Sequence, residues 1–166
     1  GLLAEERLGR GYGTEAMHVL RAERGFIIVG QETDGTITPT DLGMDWIVSK
    51  KKPDFLGQRP LSRSDTARTD RKPLGGLLPP DPKTVLKIGE HAVETVNDAP
   101  PMPMIGHVTS SYWSATLDRG FALALIREGR ARIGSSVTIA RMDGSTLQAK
   151  VVEPIFYDKD GERARA

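Results

Sequence analysis

Glu23 is the residue whose position most strongly suggests a chemical role. It lies one helical step beyond Ala16, Val19 and Leu20, which share the apolar face of a predicted helix. Burying a carboxylate on an apolar face costs free energy unless the group is paired or hydrogen-bonded. In the last turn of a helix, the helix dipole also disfavours negative charge. A flat heterocycle with two N–H donors would suit it, because a carboxylate can accept both hydrogen bonds. The alternative is that Glu23 turns outward and pairs with a neighbouring arginine.

Three consecutive lysines, Lys50, Lys51 and Lys52, follow a predicted strand around Trp46. A basic triplet is typical of a solvated loop. The alternative is an anion contact, in which an ammonium group holds the carboxylate of a ligand. The sequence leaves both interpretations open.

Two adjacent large aromatic residues, Tyr112 and Trp113, lie in a polar segment that we predict to be a loop between strands. Only 5% of the chain is aromatic, so such a pair calls for an explanation. The rings either line a ligand pocket or a subunit contact, or one ring covers the core while the other lies on the surface.

Other kinds of chemistry are excluded or disfavoured. The chain has no cysteine, which rules out disulfides, thiolate nucleophiles and cysteine-bound metals. The histidines His18, His91 and His107 lack metal-ligand spacing, and for His107 we expect a hydrogen-bonded position in a strand. The glycines of residues 9–13 have the wrong spacing for a dinucleotide-binding loop. With 23 Lys plus Arg against 22 Asp plus Glu, and only short apolar runs, neither nucleic acid nor a membrane is an expected partner.

The first part of the chain must position Glu23 through a helix. Residues 14–24 predict this helix, with Thr14 as its N-cap and Gly25 ending it in the left-handed conformation. Residues 38–41 have the cap, proline and acid that begin a short second helix. Two short apolar stretches predict buried strands, residues 26–29 and 46–48.

Residues 60–73 are polar and predict a surface connection between two domains. Beyond them, short apolar or alternating stretches are punctuated mainly by glycines, as in a small antiparallel barrel or sandwich. Asp143-Gly144 predicts a hairpin turn in which both residues have positive φ. The predicted strands are residues 74–78, 92–96, 105–110, 121–126, 136–140 and 147–152.

Several segments, in the correct order, resemble the glycine-cleavage aminomethyltransferase (T-protein) superfamily. The chain is more similar to one branch of it, the alpha subunits of heterotetrameric sarcosine oxidases, and the resemblance covers nearly the whole chain. The superfamily likeness rests on residues 20–25, 30–34, 38–39, Gly43, Trp46, 54–57, 106–110 and 117–124. The closer likeness rests on residues 12–16, 27–35, 50–55 and 107–117.

The resemblance implies an α+β fold. Residues 1–65 would form a partial folate-binding α/β segment, the C-terminal part of an aminomethyltransferase-like domain, and residues 72–160 a small antiparallel β-barrel. The catalytic aspartate of the family and its flavin and dinucleotide segments have no match in this sequence.

The resemblance also implies the binding residues. The family's pterin-binding glutamate falls on Glu23, and a basic residue near folate falls on Lys52, with Lys51 beside it, where the family has arginine. Tyr112 is the fourth residue expected to contact tetrahydrofolate.

The implied activity is that of sarcosine oxidase, which demethylates sarcosine oxidatively and passes the one-carbon unit to tetrahydrofolate as 5,10-methylenetetrahydrofolate. FMN, FAD and NAD would belong to the full complex and not to this chain. The sequence starts abruptly without methionine, so we expect a fragment of a longer chain. We expect this fragment to be cytoplasmic and inactive by itself. Its partners would be the rest of the alpha subunit and the beta, gamma and delta subunits.

Two alternatives remain. One is an aminomethyltransferase or dimethylglycine dehydrogenase relative, which would use the same pocket for different chemistry. The other is a non-enzymatic folate-fold module for assembly, although such relatives carry a cysteine signature that is missing here.

Overall fold

The computed structural model of the protein describes residues 12–97, 102–163 and Arg165. Within these residues there are two α-helices, one 3₁₀-helix and six strands. They are α1 (Thr14–Glu23), the 3₁₀-helix (Asp45–Ile47), α2 (Gln58–Leu61), β1 (Leu74–Leu78), β2 (His91–Val93), β3 (Met104–Ser114), β4 (Arg119–Ile126), β5 (Ser136–Ala140) and β6 (Thr146–Val152).

The six strands close into an antiparallel barrel in the order β1-β4-β3-β2-β5-β6. This confirms the predicted fold class, and β1 and β5 have the predicted bounds. The barrel closes through β1, which pairs with β4 on one side and β6 on the other, so that Gly76 lies opposite both Leu123 and Val152. The pairing of β3 with β4 is interrupted by a register shift between Val108 and Ser110.

Strand β4 is buried on both faces, and this explains its continuous apolar sequence. Ala122, Ala124 and Ile126 point into the barrel core, together with side chains from the other strands. The alternate residues, Phe121 and Leu123 among them, belong to a second cluster on the outside of the barrel. This outer cluster includes Ala22, with Val19, Ile27, Ile37 and Leu42 packed against it, so it joins the N-terminal segment to the barrel.

Helix α1 confirms the predicted helix, and Gly25 has the predicted positive φ of 71°. The predicted N-cap is wrong: the cap is Gly13, without a side-chain hydrogen bond. The predicted apolar face is also shifted, since Leu20 is 46% exposed while Ala22 and Glu23 are buried.

The two strands predicted in the N-terminal segment are wrong. Phe26 and Val29 are 61% and 84% exposed, and the chain turns here because the Ile28 amide donates to the Glu32 carboxylate rather than to a neighbouring strand. Around Trp46, 79% exposed, the backbone forms the short 3₁₀-helix instead. An apolar stretch of this length forms a strand only where a sheet edge receives it.

The helix predicted to begin at Thr38 is wrong as well, although its capping interaction exists. The Asp41 carboxylate accepts hydrogen bonds from the amide and the hydroxyl of Thr38, at 2.8 and 2.7 Å, but the chain then continues through turns. The Arg71 guanidinium occupies the other side of Asp41. Burial raises the pKa of Asp41, but the hydrogen bonds from Arg71 and Thr38 outweigh that effect and hold the pKa below its usual value. Asp41 is thus a junction between the N-terminal segment and the barrel.

The hairpin between β5 and β6 is confirmed, but its turn differs from the prediction. Of the two turn residues only Gly144 has positive φ, 81°. The Arg141 amide donates to the Ser145 carbonyl at 2.9 Å, and the Asp143 carboxylate accepts from the Ser145 amide at the same distance. The longer loop lets Asp143 cap the turn without a left-handed conformation.

Residues 60–73 form the end of α2 and a series of turns, and the domain division proposed within them stays a prediction. Among the described residues, no helix is both long and apolar enough to cross a lipid bilayer.

Candidate functional site

The Glu23 side chain is buried at the end of α1, with 2% of its surface exposed. Its Oε1 atom accepts a hydrogen bond of 2.5 Å from the hydroxyl of Ser114, the last residue of β3. Ser114 is itself fully buried, and its oxygen accepts the Leu117 amide at 2.9 Å. The alternative in which Glu23 turns to the surface is therefore wrong, and so is the expectation that it pairs with a neighbouring arginine.

The chain after β6 covers the end of α1. The Glu23 carbonyl accepts hydrogen bonds from the amides of Phe156 and Tyr157, at 2.8 and 3.1 Å. A Cβ atom at Gly25 would lie 2.5 Å from the Pro154 carbonyl oxygen, so both the left-handed conformation and the close approach require glycine. Residues 154–158, called the covering segment below, thus contact the backbone at the end of α1.

The arginines that flank Glu23 bind other acids. Arg24 forms an ion pair with Asp158 in the covering segment. Arg21 donates to Glu32 Oε2 at 2.9 Å, and Glu32 is completely buried. Both guanidinium groups are thus bound to other acids. The side-chain donor described for Glu23 is the Ser114 hydroxyl.

Arg21 is also the centre of a polar clamp between α1 and β3. Its terminal nitrogens donate to Ser110 Oγ at 2.7 Å and to the Tyr112 hydroxyl at 3.2 Å. The Ser110 hydroxyl in turn donates to Glu32. The clamp residues Arg21, Glu32 and Ser110 were not singled out from the sequence, because residues so far apart show no shared local pattern.

Tyr112 lies within β3, not in the predicted loop. Its ring packs on Phe121 with a centroid distance of 6.2 Å, while its neighbour Trp113 is 46% exposed. Of the two interpretations, the structure thus fits the one in which one ring covers the core and the other lies on the surface. Since Tyr112 accepts a hydrogen bond from Arg21, it belongs to the clamp, and its contact with a ligand stays a prediction.

The lysine triplet lies on an exposed loop. The amides of Lys51 and Lys52 both donate to the Ser49 hydroxyl at 3.3 Å, and this fixes the loop backbone. No described contact brings either lysine to Glu23, so an anion contact for them stays a prediction.

The cavities found in the described part of the chain do not include the candidate residues. One cavity of about 660 Å³ lies beside residues 60–72 at the C-terminal end of β4, whereas Glu23 contacts the other end of the β3–β4 pair. Neither this cavity nor four smaller ones in the described part of the chain are lined by Glu23, Lys51, Lys52 or Tyr112. That the Glu23 carboxylate faces a ligand cavity in the intact enzyme stays a prediction. Within the same described ranges, no three histidine or acidic side chains are grouped to hold a metal ion.

Comparison with known proteins gives two family matches. Residues 72–158 match the glycine cleavage T-protein C-terminal barrel domain, and residues 4–52 match the GCVT N-terminal domain. The crystal structure of the glycine cleavage system aminomethyltransferase T from Bartonella henselae superimposes with a TM-score of 0.76 at 23% identity, covering 95% of this chain and 42% of that one. That likeness supports the fold.

Among curated proteins, the sarcosine oxidase subunit alpha of Corynebacterium sp. (strain P-1) is 51% identical over 156 residues, which is 92% of this chain and 16% of the relative. The subunit alpha of Rhizobium meliloti (strain 1021) is 38% identical, over 92% of this chain and 15% of the relative. An aminomethyltransferase of Clostridium botulinum (strain Okra / Type B1) is 33% identical, over 89% of this chain and 38% of the relative. This chain therefore spans only a small part of each relative's length. Its matches show that it belongs to the glycine cleavage T-protein C-terminal barrel family and is homologous to the alpha subunits of sarcosine oxidase.

Proposed function

We propose that this chain is the C-terminal, tetrahydrofolate-binding part of a sarcosine oxidase alpha subunit. There it would help to transfer the one-carbon unit released from sarcosine, so that 5,10-methylenetetrahydrofolate forms. Supporting this is the 51% identity to a sarcosine oxidase subunit alpha. By the resemblance described above, Glu23 would correspond to the family's pterin-binding glutamate.

The observation that carries the proposal is the way in which the buried acids are neutralised. Glu32 and Glu90 are fully buried, and each forms a salt bridge with an arginine, Arg21 and Arg141 respectively. Glu23 is equally buried, but its described side-chain donor is the neutral Ser114 hydroxyl. A carboxylate offers about four acceptor positions. Glu23 therefore retains acceptor capacity that suits the N–H groups of a pterin ring.

In the mechanism, the residues of this chain bind and orient. Glu23 would accept hydrogen bonds from the pterin, and the ammonium groups of Lys51 and Lys52 would attract a carboxylate at the other end of the ligand. Bound tetrahydrofolate supplies the nitrogen nucleophiles that take up the one-carbon unit. Because the Glu23 side chain is buried here, the residues around it must shift for the ring to reach its carboxylate.

Exposed apolar side chains in the N-terminal segment support a larger assembly. Leu56 is fully exposed, Val29 is 84% exposed and Trp46 is 79% exposed. Apolar groups concentrated in one segment favour burial against another protein surface. We propose the preceding part of the alpha subunit as that surface, within a complex that also contains beta, gamma and delta subunits and that holds FMN, FAD and NAD outside this chain.

The decisive experiment is the Glu23→Gln substitution in the intact enzyme, with tetrahydrofolate binding measured by titration calorimetry. Glutamine keeps the shape but replaces an acceptor oxygen with a donor. Losing a hydrogen bond to a charged group costs roughly 1.5–3 kcal/mol, so we expect binding to weaken by about ten- to a hundredfold. The product should shift from methylenetetrahydrofolate to formaldehyde.

Glu90→Gln is the matched control, since it makes the same chemical change at a buried acid paired with Arg141. It should leave tetrahydrofolate affinity unchanged. Unchanged affinity in a folded Glu23→Gln enzyme would overturn the proposal.

A second candidate function is aminomethyl transfer without amine oxidation, which the 33% identity to the Clostridium botulinum aminomethyltransferase favours. The glutamate would serve both functions, so the Glu23 variant does not separate them. The two are separated by assaying the full-length protein with sarcosine, because only an oxidase consumes oxygen and releases peroxide.

A further inference from the structure

The hydroxyl of Ser114 has a fixed direction in this structure. Its oxygen accepts the Leu117 amide at 2.9 Å, an interaction that closes the turn after β3. Its single proton is donated to Glu23 Oε1 at 2.5 Å. Because a hydroxyl has only one proton, Ser114 acts here as the acceptor for Leu117 and as the donor to Glu23. The Glu23 carboxylate therefore cannot rotate without breaking a buried hydrogen bond.

Glu23 and Ser114 come from elements that meet only in the folded protein. Glu23 ends α1, Ser114 ends β3, and the two residues are 91 positions apart in the sequence. The position of Glu23 is held independently, because its carbonyl is bound by the Phe156 and Tyr157 amides and its neighbour Arg21 is clamped to β3. The Ser114 hydrogen bond is thus not needed to dock the helix, but it sets the orientation of the carboxylate.

We propose that Ser114 is a positioning residue for the folate-binding carboxylate of Glu23. It occupies Oε1 and holds the group in one orientation, so that the remaining acceptor positions are presented to the N–H donors of the pterin. This inference rests on the proposed folate contact of Glu23. It adds a residue that the local sequence pattern did not indicate.

The test uses Ser114→Ala and Ser114→Thr in the intact enzyme, with tetrahydrofolate affinity measured by calorimetry. Alanine removes the donor, and we expect affinity to fall by roughly tenfold. Threonine restores the hydroxyl and should recover most of that loss. In the double variant Ser114→Ala, Glu23→Gln, the serine substitution should have little further effect, because its role is exerted through the carboxylate.

Thr109→Val is the control. Thr109 is also buried on β3, but its hydroxyl donates to the Leu123 carbonyl at 3.1 Å and not to an acid of the N-terminal segment. Loss of this buried hydrogen bond should lower stability but leave tetrahydrofolate affinity within about twofold.

The outcomes separate the two proposals. If Glu23→Gln weakens binding but Ser114→Ala does not, the positioning role is wrong and the folate assignment stands. If neither variant changes affinity, the folate assignment itself fails. Equal losses of affinity from Thr109→Val and Ser114→Ala, or additive losses in the double variant, would show a structural effect only and would overturn the inference. If Ser114→Ala does not fold, the same comparison is made with Ser114→Cys, which keeps the volume but is a poor donor.

Discussion

His107 lies in the middle of β3 and directly opposite His91 of β2. Burial lowers the pKa of His107, and the positive charges of Lys72 and of His91 lower it further, while Asp34 opposes them. The imidazole is therefore kept neutral in the folded protein at a pH where it would be protonated in the unfolded chain.

This pKa shift predicts how stability depends on pH. An unfolded histidine titrates near 6.5, and the folded pKa of His107 is lower, so the unfolded state binds the proton first as the pH falls. The contribution of neutral His107 to the free energy of unfolding is thus fully present above pH 6.5 and is lost as the pH falls below that value. Urea denaturation at pH 7 and pH 5.5 should show lower stability at pH 5.5, and the difference should shrink in His107→Gln. An NMR titration midpoint of His107 above 6.5 would contradict the prediction.

At the scale of elements, the contact between the N-terminal segment and the barrel depends on the outer face of β4. Phe121 on this face is fully buried, with the Phe156 ring at a centroid distance of 4.7 Å. Ala22 of α1 belongs to the same buried cluster, so α1 and the covering segment both pack on the outside of the barrel through this cluster.

Phe121→Ala should destabilise the protein by about 3–5 kcal/mol, because it removes a large buried side chain and leaves a cavity. Phe26→Ala is the control: the same substitution at a side chain that is 61% exposed should change stability by less than about 0.5 kcal/mol. The measurement is the free energy of unfolding from denaturant titration. Similar losses for the two variants would mean that the outer cluster does not hold the segments together.

At the scale of the whole molecule, the barrel is closed and well packed, whereas the N-terminal segment exposes much of its apolar surface. The alpha subunits of sarcosine oxidase to which the chain is similar are much longer, since it spans 16% of the Corynebacterium protein.

We predict that the isolated chain binds no flavin tightly and does not oxidise sarcosine, because its sequence carries no fingerprint for either. Gel filtration followed by absorption spectroscopy tests the first point, and oxygen consumption with sarcosine tests the second. A yellow protein that keeps its flavin through gel filtration would refute the prediction, while the assembled enzyme serves as the positive control.

The sequence by itself was sufficient to predict the strands, although its pattern left a barrel and a sandwich open. The apolar and alternating stretches, separated mainly by glycines, predicted six strands, and the described residues form six in the corresponding places. Strands of this kind are determined by the periodicity of neighbouring residues, which is a local property. The same holds for α1 and its end at Gly25, where only glycine combines a left-handed conformation with contact against Pro154.

Only the tertiary structure decided which residues meet Glu23. The sequence marked Glu23 as an acid on an apolar face, but not whether it faced solvent, an arginine or a neutral donor. Its partner Ser114 is 91 residues away, and such a contact depends on how α1 packs across β3 and β4. The stretches around Phe26 and Trp46 show the same limit: their composition suits strands, but no described sheet edge receives them, so the chain turns instead. Local pattern determines which conformations are favourable, whereas side-chain partners and strand pairing depend on contacts between distant parts of the chain.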